Sequence, residues 1–362
     1  MSIKAIVTAG GTAGHINPAI AIAKQITAHG GEVLFIGKEG GMETDLVEKE
    51  GFPISCIKVA GFKRSLSPSN LKTVFLAAKG LSETKKIIKR FAPDIVIGCG
   101  GYVSGPAVFS AAMMKIPTLI HEQNVFPGMT TKILSRVADR ICVSFEESIK
   151  YLPGKKNAVL TGNPVREGIL SVNPALARDE LKITEPTLLV FGGSLGAKKI
   201  NDTMIELIKT KKPEFGIIWG TGKRYYEDIM KELENTPLSD NITITPYIYN
   251  MDTVMAASDI VVSRAGAIAI SEICAMGKCS VLIPSPYVTN NHQEHNAAAL
   301  QSAGASIMIC ENELNSNFLF DTVSELFADR KRAELIRANA LKMAKPSASR
   351  DIYEHALKLT RH

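Results

Sequence analysis

The residues best suited to chemistry occur in short clusters. Three are glycine-rich: GGTAGH at 10–15, GGYVSGP at 100–106 and GGSLGA at 192–197. Glycine lets a backbone approach a phosphate, and a helix starting there offers unpaired N–H groups and the positive end of its dipole. Tight strand-to-helix packing uses glycine in the same way. None of the three follows G-x-G-x-x-G closely and none carries the lysine of G-x-x-x-x-G-K-[ST], which argues against a standard dinucleotide site and against a P-loop. His15 ends the first cluster. An imidazole there can take a proton from a hydroxyl near neutral pH, orient a phosphate or cap the helix, and the sequence leaves these open. HEQN at 121–124 sets four polar side chains directly after the apolar run PTLI, which points to ligand or network duties. In RAGAIAISE (264–272), small residues permit close approach to a helix N-terminus. Glu272 can accept from the paired hydroxyls of a ribose or serve as a dipole-stabilising acid. NNHQEHN (290–296) is a loop dense in amides, which suit sugar hydroxyls or solvent.

Each cluster follows a short apolar run. Residues 3–8, 32–37, 94–98 and 117–120 in the first half, and 187–191, 216–220, 242–245, 259–263 and 279–283 in the second, read as strands alternating with longer helical stretches. That alternation predicts parallel βαβ units and therefore an α/β chain of two Rossmann-like, doubly wound domains. Open parallel sheets take ligands beyond the carboxyl ends of their strands, so two facing units predict a cleft walled by strand-end loops. Asn163-Pro164 breaks regular structure. The expected division is residues 1–163, 164–345 and a C-terminal helix within 346–362 that packs back on the first domain.

The chain's 362 residues fit two domains. No apolar run is long enough to span a bilayer, and the N-terminus passes straight into a strand, so no signal peptide is expected. Six scattered cysteines without C-x-x-C predict buried free thiols in a reducing compartment, and no spacing suggests a metal site or a cofactor. The net charge of +6 is uneven: residues 1–164 hold 20 Lys+Arg against 12 Asp+Glu. Residues 58–90 carry nine basic side chains and one acid, Glu83. Such a segment meets an anionic surface or forms a solvated helix face. Ser67-Pro68 predicts a helix start, after which Leu71, Val74, Phe75 and Ala78 share one stripe flanked by Lys72 and Lys79.

Taken together and in order, GGTAGHINPAIA, GGYVSGP, HEQN, GNPVR, GGSLGA, SRAGAIAISE and NHQEHNA resemble the MurG family of bacterial glycosyltransferases, over about residues 3 to 305. The resemblance implies a GT-B fold and inverting, metal-free transfer of N-acetylglucosamine from UDP-N-acetylglucosamine. The acceptor would be the 4-hydroxyl of N-acetylmuramic acid in the undecaprenyl-pyrophosphoryl pentapeptide called lipid I, giving lipid II. It also implies peripheral docking on the anionic cytoplasmic leaflet through Leu71, Lys72, Val74, Phe75 and Lys79, and no nucleic-acid partner. His15 is the first choice for the base and Glu122 the second. Thr12, Ala13 and Gly14 would lie beneath the sugar and pyrophosphate, and Asn124 would reach the donor sugar. Arg166 and Ser194 would contact nucleotide and phosphate, and Ile248 would pair with uracil. Ala267, Ile268, Ala269 and Glu272 would hold ribose and phosphates, with Gln293 and Asn296 reading the sugar. Gly100, Gly101, Tyr102, Ser104 and His121 fall in acceptor and pyrophosphate loops. Ala13 and Thr131 depart from the residues usual in the family. A UDP-N-acetylglucosamine 2-epimerase-like enzyme and a non-enzymatic UDP-sugar-binding membrane scaffold are the competing readings.

Overall fold

The computed structural model describes residues 2–59 and 69–361, with the backbone alone for residues 69–78 and Glu167. Ser67 and Pro68 lie outside the described residues, as do the side chains of Leu71, Lys72, Val74 and Phe75. The chain divides into two compact units, residues 1–165 with 345–362, and residues 166–344.

The first unit runs β1 (Lys4–Thr8), α1 (Ala13–Ala28), β2 (Glu32–Lys38), α2 (Met42–Lys49), β3 (Ile54–Ile57), α3 (Ser69–Phe91), β4 (Ile95–Gly98), α4 (Ser104–Met113), β5 (Thr118–Glu122), α5 (Met129–Leu134), β6 (Arg140–Val143) and β7 (Ala158–Leu160). Its sheet order is β3-β2-β1-β4-β5-β6-β7. The second unit runs α6 (Glu167–Ser171), α7 (Pro174–Glu180), β8 (Thr187–Phe191), α8 (Lys198–Thr210), β9 (Gly216–Gly220), α9 (Tyr226–Glu232), β10 (Ile242–Thr245), α10 (Met251–Ala257), β11 (Ile260–Ser263), α11 (Ala267–Ala275), β12 (Cys279–Leu282), α12 (His292–Ser302), β13 (Ile307–Met308), α13 (Ser316–Ala328) and α14 (Arg330–Met343). Its sheet order is β10-β9-β8-β11-β12-β13. The last helix, α15 (Ala348–Leu359), packs on α1 in the first unit, where Tyr353 stacks on His29.

Both sheets are parallel throughout their described pairings. Helices cover both faces, so central strands such as β4 and β8 are buried at every position. In the first unit Val7, Ile95 and Leu119 pack with α1 and α15 on one face, while Ile6, Val96 and Ile120 pack with α4 on the other. In the second unit Trp219 is fully buried and donates its indole N–H to the Asn201 side chain at 3.2 Å.

Three local differences from the sequence reading bear on the site. First, α1 begins at Ala13, so Ala13, Gly14 and His15 form its first turn, and Ala13 is an ordinary helical position. Second, β5 continues through His121 and Glu122, which align with Cys142 and Val143 of β6. Their polar side chains are tolerated in the sheet because backbone groups of Gly162, after β7, and Gly128, before α5, supply hydrogen-bond partners. Third, residues 290–296 are not a loop. A 3-10 turn (Thr289–Asn291) leads through left-handed Asn290 and Asn291 (φ 55° and 51°) into α12, so Gln293 and Asn296 sit on a helix. Asparagine is among the residues that accept that conformation at least cost.

The first two glycine clusters touch. A Cβ on Gly101 (φ +79°) would lie 2.2 Å from the Gly10 carbonyl oxygen, whereas one on Gly30 (φ +78°) would meet nothing within 4 Å. Backbone strain is therefore matched, and the difference isolates the loop contact. Gly30→Ala should cost about 1 kcal/mol, and Gly101→Ala about 2 kcal/mol more, by urea unfolding. Equal losses would mean that the two loops separate freely.

Candidate active site

In each unit the strand order reverses once. The chain leaves β1 toward β2 and returns to β4 on the other side, and it leaves β8 toward β9 and returns to β11. At such a point the loops after the two central strands diverge and leave a crevice beyond the carboxyl ends. GGTAGH follows β1 and GGYVSGP follows β4; GGSLGA follows β8 and RAGAIAISE follows β11. The four helices that start there, α1, α4, α8 and α11, have no side-chain cap and no acidic residue in their first turn. By contrast, Asn173, Asn315 and Asp329 cap α7, α13 and α14. The switch-point helices thus turn positive dipole ends, with no acid beside them in the first turn, toward that crevice.

In the first unit the structure brings His15, Gly100, Gly101, Tyr102, Ser104 and His121 together. The imidazole of His15 lies against Gly100, where a Cβ would sit 2.6 Å from its Nδ1. The Ser104 hydroxyl donates to the Gly100 carbonyl at 2.7 Å. Tyr102 lies near Gly11, where a Cβ would come within 3.9 Å of its ring. Thr12 and Gly14 are exposed at the start of α1. Beneath them, Glu43 is buried and accepts from the backbone N–H groups of Lys38 (2.8 Å) and Gly11 (3.4 Å), so α2 buttresses the first loop.

His121 is buried and faces Gly162, whose carbonyl lies 3.1 Å from its Nε2. Gln123 lies between the two histidines. Its Oε1 is 2.8 Å from Nδ1 of His15, and its Nε2 reaches the Cys99 carbonyl at 2.8 Å and Nδ1 of His121 at 3.0 Å. Ser144 and Asn163 extend the network to the Gln123 carbonyl. Glu122, one residue along the strand, points elsewhere. One oxygen accepts from the backbone N–H (3.1 Å) and side-chain amide (3.3 Å) of Asn124, and the other from Gly128 N–H (3.1 Å). A buried carboxylate held by three donors fixes the turn that carries Asn124.

In the second unit Arg166 and Glu272 form a two-pronged pair, Nε to Oε1 at 2.7 Å and Nη2 to Oε2 at 2.9 Å. Partial burial opposes the Arg166 charge and Glu272 outweighs it, so its pKa lies above the ordinary value. The pair carries no net charge, so Arg166, expected from the sequence to contact nucleotide and phosphate, is already matched by a carboxylate. Ala267, Ile268 and Ala269 form the first turn of α11. Ile248 is buried against Gly220 at the end of β9, and Ser194 is exposed after β8. On α12, Gln293 accepts from Ser285 N–H at 2.9 Å and Asn296 donates to the Ala265 carbonyl at 3.1 Å, tying that helix to the loop before α11. Among the described residues no group of three or more His, Cys, Asp or Glu side chains is placed to hold a metal ion.

The sequence reading gave Gln123 no part beyond the ligand or network duties expected of HEQN, and gave Glu43 none. The available signal for Gln123 was period two: on a strand, residues 121 and 123 share one face and residue 122 takes the other. Glu43 had only its position in the first turn of a helix.

With this geometry in place, the similarities are specific. Residues 5–143 match the glycosyltransferase family 28 N-terminal domain and residues 187–355 match the family 28 C-terminal domain. The chain belongs to glycosyltransferase family 28. It is 50% identical over 358 residues, 97% of each chain, to an Acetivibrio thermocellus protein, the UDP-N-acetylglucosamine–N-acetylmuramyl-(pentapeptide) pyrophosphoryl-undecaprenol N-acetylglucosamine transferase. The crystal structure of Acinetobacter baumannii MurG matches with a TM-score of 0.81 at 27% identity, over 98% of this chain and 99% of that one. A UDP-N-acetylglucosamine 2-epimerase from Neisseria meningitidis matches with a TM-score of 0.68 at 16% identity, over 98% of this chain and 100% of that one. At that identity it shares the fold alone.

Burial drives the His121 pKa down to about 4; the Gly162 hydrogen bond opposes this and the nearby His15 adds to it. The unfolded chain therefore takes up a proton, between about pH 6.5 and 4, that the folded chain refuses. Stability from this group is complete above the unfolded pKa and is lost as pH falls through the folded one, by about 3 kcal/mol in all. In urea unfolding across that window, His121→Gln should lose stability with a slope about one proton shallower than the unmutated chain. Matching slopes would mean that folding does not lower the His121 pKa.

Proposed function

We propose that this chain transfers N-acetylglucosamine from UDP-N-acetylglucosamine to the 4-hydroxyl of the muramoyl sugar of a polyprenyl-pyrophosphoryl-muramoyl-pentapeptide, with inversion and release of UDP. The observation that carries this reading is the 50% identity, across 97% of both chains, to a transferase of that printed specificity. The geometry supports the chemistry. The donor nucleotide falls to the second unit, with uracil at the Ile248 backbone, the ribose at Glu272 and the sugar at Gln293 and Asn296. The pyrophosphate meets the N-terminal turns of α8 and α11, whose dipole ends answer the charge that develops as UDP departs. Because Glu272 already holds Arg166, a ribose shares the carboxylate with the guanidinium, and Arg166 sets where it points.

His15 takes the acceptor's proton. It stands on the first turn of α1 at the switch point, whereas the oxygens of Glu122 are occupied by backbone and amide donors. His15→Ala should lower kcat by about 10² or more, and UDP release should depend on the added lipid-linked acceptor. UDP release without that acceptor, or undiminished turnover in His15→Ala, would overturn the assignment of reaction or base.

The acceptor is a lipid, and among the described residues no helix is long and apolar enough to cross a membrane. We assign the chain to the cytoplasmic face of the membrane as a peripheral protein. Phe109 and Met113 of α4 and Met129 and Ile133 of α5 are exposed, each pair spaced i, i+4. The two helices pack together, and Lys115 and Arg136 are exposed beside them. An apolar face flanked by cations suits an anionic interface. Met113→Glu with Ile133→Glu should weaken binding to anionic vesicles and turnover of the lipid acceptor while a water-soluble acceptor analogue is still glycosylated. Unchanged vesicle binding would place the docking surface elsewhere.

A further inference from the structure

The hydrogen-bond chain behind His15 has a direction that its own groups dictate. The carbonyl of Cys99 can only accept, so the Gln123 atom 2.8 Å away is the amide nitrogen. This fixes the amide orientation. Its oxygen then faces His15, and the 2.8 Å contact to Nδ1 requires a proton on that nitrogen. The second amide N–H points at Nδ1 of His121, which must accept, so His121 carries its proton on Nε2 and donates to the Gly162 carbonyl. Every proton in the chain is placed by one backbone carbonyl at its centre. The neutral His15 ring is left with its lone pair on Nε2, the nitrogen turned away from Gln123.

We infer that Gln123 is a positioning residue for the reaction, holding His15 as the Nδ1–H tautomer so that Nε2 is a ready proton acceptor. This rests on the reading of His15 as the base. In water the neutral side chain favours the opposite tautomer, with N–H at Nε2, and in that form the outward nitrogen cannot accept a proton. His15 therefore needs a fixed acceptor behind it. The ring cannot retreat, because it lies against Gly100, where even a Cβ would come within 2.6 Å of Nδ1. His121 serves the amide rather than the substrate. It is buried, and its lone pair takes the amide hydrogen that would otherwise be unpaired. An amide here also differs from the carboxylate that orients histidine in other enzymes. It fixes the tautomer without adding a negative charge beside the open N-terminus of α1, where that charge would compete with an anionic ligand.

The test is nitrogen NMR of the full chain with 15N-labelled histidine, at a pH where the rings are neutral, read by two-bond correlations. The expected pattern is opposite for the two residues: His15 protonated on Nδ1 and bare on Nε2, His121 protonated on Nε2 and bare on Nδ1. Gln123→Met should release His15 to the Nε2–H form and lower kcat about 10-fold, short of full base loss, with the donor KM unchanged. Gln123→Glu, which keeps an acceptor facing Nδ1, should retain the Nδ1–H form. The inference is overturned if His15 in the unmutated chain is protonated on Nε2, a result that needs no variant to fold. It is also overturned if the Met and Glu variants give the same His15 spectrum. Failure of the base assignment is separate: His15→Ala would then turn over normally while the unmutated spectrum still showed the Nδ1–H form.

Discussion

The parallel sheet is the constraint on which everything else depends. A strand paired in parallel must be reached by a crossover, so every strand of a sheet ends on the same edge and each helix that follows a strand begins there. Two consequences coincide at that edge. Strand carboxyl ends deliver polar side chains such as His121 and Gln123, and helix amino ends deliver N–H groups that have no intrahelical partner. Where the strand order reverses, between β1 and β4 and between β8 and β11, no crossover covers the edge. Glycine and small residues occur at these four loops because backbone must approach backbone there, as Gly101 approaches Gly10.

The first unit handles the cost of that arrangement with a closed polar network. A buried polar group left unpaired costs more than its hydrogen bond is worth when made. His121, Gln123, Ser144 and Asn163 are all buried or nearly so. Each is answered by another member or by a backbone carbonyl, those of Cys99, Glu122, Gln123 and Gly162 among them. Because the carbonyls cannot change roles, the histidine and amide protons have one self-consistent arrangement, while the single Ser144 hydroxyl proton can go to the Glu122 carbonyl or to Asn163. Burial that would destabilise a loose cluster here imposes uniqueness, and the low pKa of His121 is the sign that its neutral state belongs to the fold.

The fold class was legible because long, β-branched strands announced themselves by composition and by the glycine turns that followed. Family membership followed from the order of the motifs. What escaped was short or local. β3, β6, β7 and β13 are two to four residues long, and Ser55 and Arg140 interrupt the apolar character of β3 and β6, so no period could mark them. The start of α1 at Ala13 was hidden because a glycine and a histidine do not look like a first helical turn. α12 was hidden by two asparagines whose left-handed backbone only the fold stabilises. The Arg166–Glu272 pair spans 106 positions in sequence, and Gln123 meets His15 across 108. Contacts of that separation are set by topology, and no local pattern encodes them.

The distribution of charge gives these contacts a common logic. Arg166 is neutralised by Glu272 of α11, Arg264 before that helix pairs with Glu311, and the group behind His15 is an amide. None of these groups therefore adds a net charge of its own to its switch point. What remains is the field of the helix ends and glycine N–H groups, which is positive, fixed in direction and indifferent to pH. A fixed dipole stabilises charge that appears during a reaction without holding a departing dianion as tightly as a set of free guanidinium groups would. For an enzyme whose leaving group is a nucleoside diphosphate, the same ends must favour the departing charge and then release it. The proposed donor site separates those two demands: a neutral ion pair would aim the ribose, and backbone N–H groups would meet the phosphates. Recognition would then rest on side chains of matched charge, and the response to developing charge on the backbone.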